Sequence, residues 1–174
     1  MISAFWSRHD VRQHPGGGGG LCRREHIHLP FHQRPQVRLA CTQVLKRVEL
    51  QQVRGFTSAH VMADVAHRLM TLEAISLKGW PVAGIAARLR KHHAEIAGLS
   101  IYRRALARIP LMAIQVLPIT QSLVEDATSV SQQHQLLTGD ALIVAVMAQH
   151  GLVNLASGDD DFDRIPAITR YAPA

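Results

Sequence analysis

The carboxylates are the residues best able to do chemistry in this 174-residue chain, and they gather near its end. Asp159, Asp160, Asp161 and Asp163 crowd together directly after the apolar run Leu152 to Ala156. In open α/β sheets, ligands bind outside the carboxyl ends of the strands, which is where such a cluster would lie. Like charges so close repel one another unless a cation sits among them. Hard oxygen ligands of this kind suit Mg²⁺, held by a few carboxylates and water. Asp159, Asp161 and Asp163 also have the spacing that begins a calcium loop. An EF-hand, however, needs Gly where Arg164 stands and Glu where Arg170 stands, so that reading fails. A hydrophilic turn explains any one of these acids better than it explains the cluster.

Two further acids stand apart from the cluster. Asp140 follows Thr138-Gly139 at the start of a predicted helix, where free N–H groups and the helix N-terminal partial charge favour a carboxylate. Taken alone, the residue is better explained as a plain helix cap. Asp64 lies inside a predicted helix beside its apolar stripe, where Asp is a poor helix former. It could be a solvated position or an i,i+4 partner for Arg68. No Ser–His–Asp or Cys–His constellation competes with the acids. Cys22, His26, His28 and His32 resemble a zinc set but lack matched spacing and a flanking fold. Gly16 to Gly20 lacks the preceding strand and the Lys-Ser/Thr of a phosphate-binding loop.

The elements that must position these acids are readable from residue 40 onward. Ala40 to Val53 has helical apolar spacing, and Arg54-Gly55 is expected to end that helix. Thr57-Ser58 offers hydroxyl caps for a second helix to about Ile75, its apolar face carrying Val61, Val65, Leu69 and Leu72. Lys78 to Pro81 breaks the chain, and Val82 to about Arg108 holds one or two more helices. Ala113 to Ile119 is a β-branched strand candidate, Thr120 caps a helix to about Leu137, and Asp140 to Gln149 forms the next. Gly151 stops that helix, Leu152 to Ala156 reads as a buried strand, and Ile165 to Tyr171 as a last edge strand. Strands alternating with helices predict a parallel sheet covered on both faces. The visible strands make that sheet thin, as though a central strand were missing.

Composition sets the outer bounds. A chain of this length can bury one sizeable core, and 47% hydrophobic residues predict a globular protein. No apolar run approaches the roughly 18–20 residues of a membrane span, and no secretory signal is evident. Two cysteines, Cys22 and Cys41, fit a reducing cytoplasm. The net charge of +6 invites a nucleic-acid reading, but residues 1–39 alone contribute +4, from six Arg against Asp10 and Glu25. The remaining residues hold 13 basic and 11 acidic side chains, so overall charge argues only weakly for RNA.

With these residues in place, a resemblance can be named. GFTSAHVMADVAHRLMTLEA (Gly55 to Ala74) resembles the second-helix region of PIN-domain ribonucleases, and LLTGDALIVAVMAQHGLVNLASGDDDFDRI (Leu136 to Ile165) resembles their C-terminal signature. The similarity runs over about residues 40–171. It implies a three-layer α/β/α fold with a parallel sheet, and Asp64, Asp140 and Asp159 as catalytic residues and metal ligands, with Asp161 as a further ligand. Asp64 stands where the family usually has Glu, a side chain one methylene longer. The resemblance also implies Mg²⁺ or Mn²⁺ as cofactor, with metal-activated water cleaving RNA. VapC-like toxins of toxin–antitoxin pairs are the nearest kind, which implies an RNA substrate, a homodimer, a small antitoxin, and no membrane. The other reading is a degenerate, inactive PIN remnant that only binds a partner.

The family's first strand ends in Asp-x-Asn and supplies the first metal ligand, and no such strand precedes Ala40. Residues 1–39 show no period of either kind and are expected to be a non-native or disordered segment ahead of a PIN-like domain at 40–174. The genetic code offers a reason. Arg23 to Arg38, RREHIHLPFHQRPQVR, can be encoded so that reading one base later gives D-A-N-I-F-I-Y-H-F-T-N-D-P-K-Y. That is an apolar strand with its Asp-x-Asn in the family's place, so the segment is expected to be an out-of-frame translation.

Overall fold

The computed structural model describes residues 4–8 and 35–172, with side-chain surroundings from Thr42 onward. The zinc-like residues and the glycine run lie outside the described residues. A helix at Pro35–Glu49 (α1) begins and ends earlier than its apolar spacing suggests. The stretch expected to close it is instead a strand, Val53–Ser58 (β2). β2 was hidden because its residues are buried on both faces apart from Arg54, so it shows no alternation, and Arg54-Gly55 imitates a helix stop. Gly55 is needed there because a Cβ would lie 2.7 Å from a Val48 methyl of α1.

Helix Ala59–Lys78 (α2) follows at once. Ser58 caps it, its Oγ accepting from the Val61 N–H at 3.3 Å, and Gly79 ends it in the left-handed conformation (φ 64°). Ile85–Lys91 (α3) and Ile101–Arg108 (α4) fill the next segment, joined by a tight helical turn at His93–Gly98. Strand Ile114–Leu117 (β3), helix Gln121–His134 (α5, capped by Thr120) and helix Thr138–Gln149 (α6) come where the pattern predicts. Two short strands, Asn154–Ala156 (β4) and Thr169–Tyr171 (β5), complete the sheet, β5 at its edge.

The strand order is β3-β2-β1-β4-β5, where β1 is Ala4–Arg8. β2 pairs parallel with β3, and β4 with β5, while β1 is antiparallel to both β2 and β4. Four strands therefore share one direction, and the central one opposes them. Ala4–Arg8, within the stretch that shows no apolar period, takes the central position. Those five residues show no apolar/polar alternation to reveal them, and their pairing is entirely non-local.

The three layers follow from strand alternation. Gly55 faces α1 through Val48, whereas Phe56, Leu117 and Leu155 face the opposite side and join α5 and α6 in the main core. Ala141 to Met147 of α6 are all buried, as expected of a helix that is apolar all round. A smaller core of Ala74, Leu89 and Leu99 fastens α3 and α4 to the second half of α2.

Candidate metal centre

Because β2, β3 and β4 run in one direction, their carboxyl ends (Ser58, Leu117 and Ala156) open at one edge of the sheet. Each candidate acid is delivered there by a separate element. α2 leaves the end of β2 and carries Asp64 less than two turns from its start. The first turn of α6 carries Asp140. The turn after β4 carries Asp159 to Asp161.

Asp140 reports on how these charges meet. Its carboxyl is raised above the ordinary value of 3.8, first by burial, then by the negative charges of Asp159, Asp161 and Asp64, with His60 opposing weakly. Burial and three carboxylates thus outweigh the favourable helix terminus. Asp64, Asp159 and Asp161 are therefore near enough to Asp140 for their charges to act on it. Asp159, Asp160 and Asp161 also place one carboxylate oxygen each within 4.8 Å of one another.

The turn holding these acids is built rather than loose. Asp159 caps the short helical turn Asp160–Arg164 by accepting from the Asp161 N–H at 3.1 Å, and its own N–H donates to Ser157 Oγ at 3.2 Å. Ser157 is buried, and its carbonyl accepts from Arg170 Nη1. Arg170 also donates twice to Asp163, at 2.7 and 2.6 Å, and holds that carboxyl below the ordinary range. Asp163 is therefore committed to closing the turn, which explains why a calcium-loop spacing has no calcium-loop role. Asp161 Oδ1 accepts from Arg164 at 2.8 Å, leaving its other oxygen for a ligand.

Two residues that sequence reasoning passed over contribute. His60 Nε2 lies 3.4 Å from Asp64 Oδ2, so the partner of Asp64 is His60 and not Arg68. His60 also packs over Gly139, where a Cβ would lie 3.3 Å from its Nε2, linking the start of α2 to the start of α6. The i,i+4 spacing of His60 and Asp64 was the available signal. Ser157 carried no signal, because its role depends on Arg170 folding back from β5.

Comparison with known proteins now decides the family. The PIN domain family model matches residues 40–168, the span of both core clusters and every candidate acid. The chain belongs to the PIN domain family. Two curated relatives are a VapC ribonuclease (Mb1869c) of Mycobacterium bovis and ribonuclease VapC13 of Mycobacterium tuberculosis. Each is 44% identical over 59 residues, 33% of this chain and 45% of the relative. The chain thus spans under half the length of the curated relatives it matches. No solved structure matches. Among the described residues of this PIN chain, no helix is long and apolar enough to cross a membrane.

Proposed function

We propose that the PIN domain described here is a divalent-metal-dependent, toxin-like ribonuclease that cleaves RNA phosphodiester bonds. The observation that carries this is the state of Asp140. It is a half-buried carboxyl facing three other carboxylates, with only His60 set against them. Such a site is electrostatically uncompensated, and an all-oxygen donor set fits a hard cation such as Mg²⁺ or Mn²⁺. Asp64, Asp140 and Asp159 would hold the ion, with the free oxygen of Asp161 beside them. When bound, the ion supplies an activated water and neutralises charge developing on the phosphoryl group.

The chain's own residues do the positioning. His60 steadies Asp64 and ties it to the start of α6. Ser157 and Arg170 fix the turn that holds Asp159 beside Asp160 and Asp161. Without a cation this mouth repels a phosphodiester, so substrate binding at the acids and cation binding are coupled. The resemblance to toxin-like PIN ribonucleases carries with it a second copy of the chain and a small antitoxin as proposed partners.

A second reading is favoured by one observation. β1 runs against its neighbours, so its carboxyl end, Arg8, pairs with Val53 at the edge away from the acids. Ala4–Arg8 contains no acid and points its end away from the mouth. A chain with this central strand brings three elements to the site where the family brings four, which supports an inactive remnant. The two readings are joined by the out-of-frame proposal, in which D-A-N-I-F-I-Y belongs in the central slot.

The test is cleavage of a mixed-sequence labelled RNA in Mn²⁺ by the chain as it stands and by a chain carrying the shifted-frame segment. Activity in the restored chain that is lost in Asp140→Asn supports the ribonuclease. Absence of cleavage in both chains supports the remnant.

A further inference from the structure

The near-neutral charge of residues 40–174 conceals a strong polarity. Residues 78–108 hold seven Lys and Arg against a single acid, Glu95. The rest of the 40–174 span holds six basic and ten acidic residues. The α3–α4 segment is therefore strongly basic on its own, while the remainder of the domain is net acidic and carries the aspartates of the sheet mouth.

The lobe is a fixed structure. Glu73 of α2 is buried and accepts from the Ser100 and Ile101 N–H groups, both at 2.8 Å, capping the start of α4. Trp80 braces the other side, with His92 at 5.4 Å between ring centroids and the Arg88 guanidinium 6.0 Å from its ring. Glu95 is already spent on Lys78. Arg90, Lys91, Arg103 and Arg104 are exposed, and none has an acid partner among the described residues. Glu73 lies nine residues beyond Asp64 on α2, so the lobe is anchored about 13 Å along that helix from the acids.

We infer that the α3–α4 lobe is a docking surface for the phosphate backbone of a single-stranded RNA, separate from the acidic mouth. Uncompensated, fixed cations attract a polyanion through counterion release, and the polarity of the domain aligns the strand. Trp80 is engaged with Arg88 and His92, and Tyr102 packs against the small core, so the exposed Arg and Lys side chains present phosphate contacts first. The identity of the polyanion as RNA rests on the ribonuclease reading.

The test measures binding of a fluorescein-labelled oligouridylate to the full chain in EDTA, across a salt series. Arg90→Ala/Lys91→Ala/Arg104→Ala is expected to raise Kd at least about tenfold at low salt. It should also reduce the slope of log K against log salt by about 2, from about 0.7 per lost contact on a single strand. A Lys-for-Arg version at 90 and 104 should keep most of the affinity. Unchanged Kd and slope in the triple Ala variant would overturn the inference. So would loss of binding to labelled polyglutamate with RNA binding intact, which would make the surface a dock for an acidic protein. RNA binding that depends on the lobe in a chain that never cleaves would sink the ribonuclease reading and leave this one standing. Acid-dependent cleavage untouched by the triple substitution would do the reverse.

Discussion

Two neighbouring strands at the centre of the sheet, β4 and β1, share a ladder and differ in everything the site needs. β4 runs with β2, β3 and β5, seats the fully buried Leu155 in the core, and releases the chain directly into Asp159. β1 pairs with β4 along Ala4 to Trp6 but runs the other way, so it leaves the sheet at the far edge. Filling a central slot satisfies the hydrogen bonds of both neighbours, and the sheet closes whichever way the strand runs. Delivering a side chain to one edge requires the right direction as well. The fold tolerates what the chemistry does not.

The comparison is broken most sharply by reversing β1. Replacing the segment that precedes α1 with the shifted-frame sequence should raise Mn²⁺-dependent RNA cleavage by on the order of 10²-fold or more, the scale of an electrostatic catalytic group. An equal rate in both chains would mean that strand direction is irrelevant to the site.

The structural share of each strand can be measured next. Leu155→Ala should cost roughly 2–5 kcal/mol by denaturant unfolding, as for a large apolar side chain removed from a closed core. Phe5→Pro should cost about 3 kcal/mol, by analogy with the cost of a proline inside regular structure. Phe5 lies opposite both Phe56 and Leu155, so a proline there removes a ladder donor at the centre of the sheet. An unchanged midpoint for Phe5→Pro would show that β1 contributes nothing to the sheet.

A smaller effect sharpens the other boundary of β2. Gly55→Ala should destabilise by about 1–3 kcal/mol, because the new methyl meets the buried Val48 side chain. Retained stability would mean that α1 is not held against the sheet.

The smallest effect concerns the acids themselves in metal-free protein. Asp140 has a raised carboxyl in the folded state, so folding favours its protonated form. The stability this lends is present below the ordinary value of 3.8 and is lost as pH rises through the higher folded value. In EDTA at neutral pH, Asp140→Asn should therefore raise the Tm, by about 1–3 °C given how exposed the group is. A lower Tm would mean that Asp140 is stabilised by its surroundings and is not a strained ligand. Asp163 behaves oppositely, since its pair with Arg170 lowers its carboxyl and that contribution is lost as pH falls.

Much of this domain was legible because its signals are local. Ser58 and Thr120 announced their helices through side-chain caps, α6 through unbroken apolarity, and β4 through the short apolar run ahead of the aspartates. Asp140 and Asp159 stood out in the sequence because each comes at a recognisable element boundary, the start of α6 and the end of β4. β2 was not legible, since a strand buried on both faces carries no period and its glycine imitates a helix stop. β1 was not, since five residues pair only with partners about 50 and 150 positions away, a separation no local pattern encodes. His60 was missed because a histidine four residues before an acid gains meaning only when Gly139 is seen to pack beneath it. The basic lobe was missed because net charge was summed over a span in which opposite charges occupy different regions.

The central claim is that Asp64, Asp140 and Asp159 form a metal-dependent ribonuclease centre. Its most direct test is RNA cleavage in Mn²⁺ by the chain with the shifted-frame strand, compared with the same chain carrying Asp140→Asn. The account predicts cleavage that EDTA abolishes and that falls by about 10³-fold or more in the variant. Cleavage that proceeds unchanged in Asp140→Asn would contradict it.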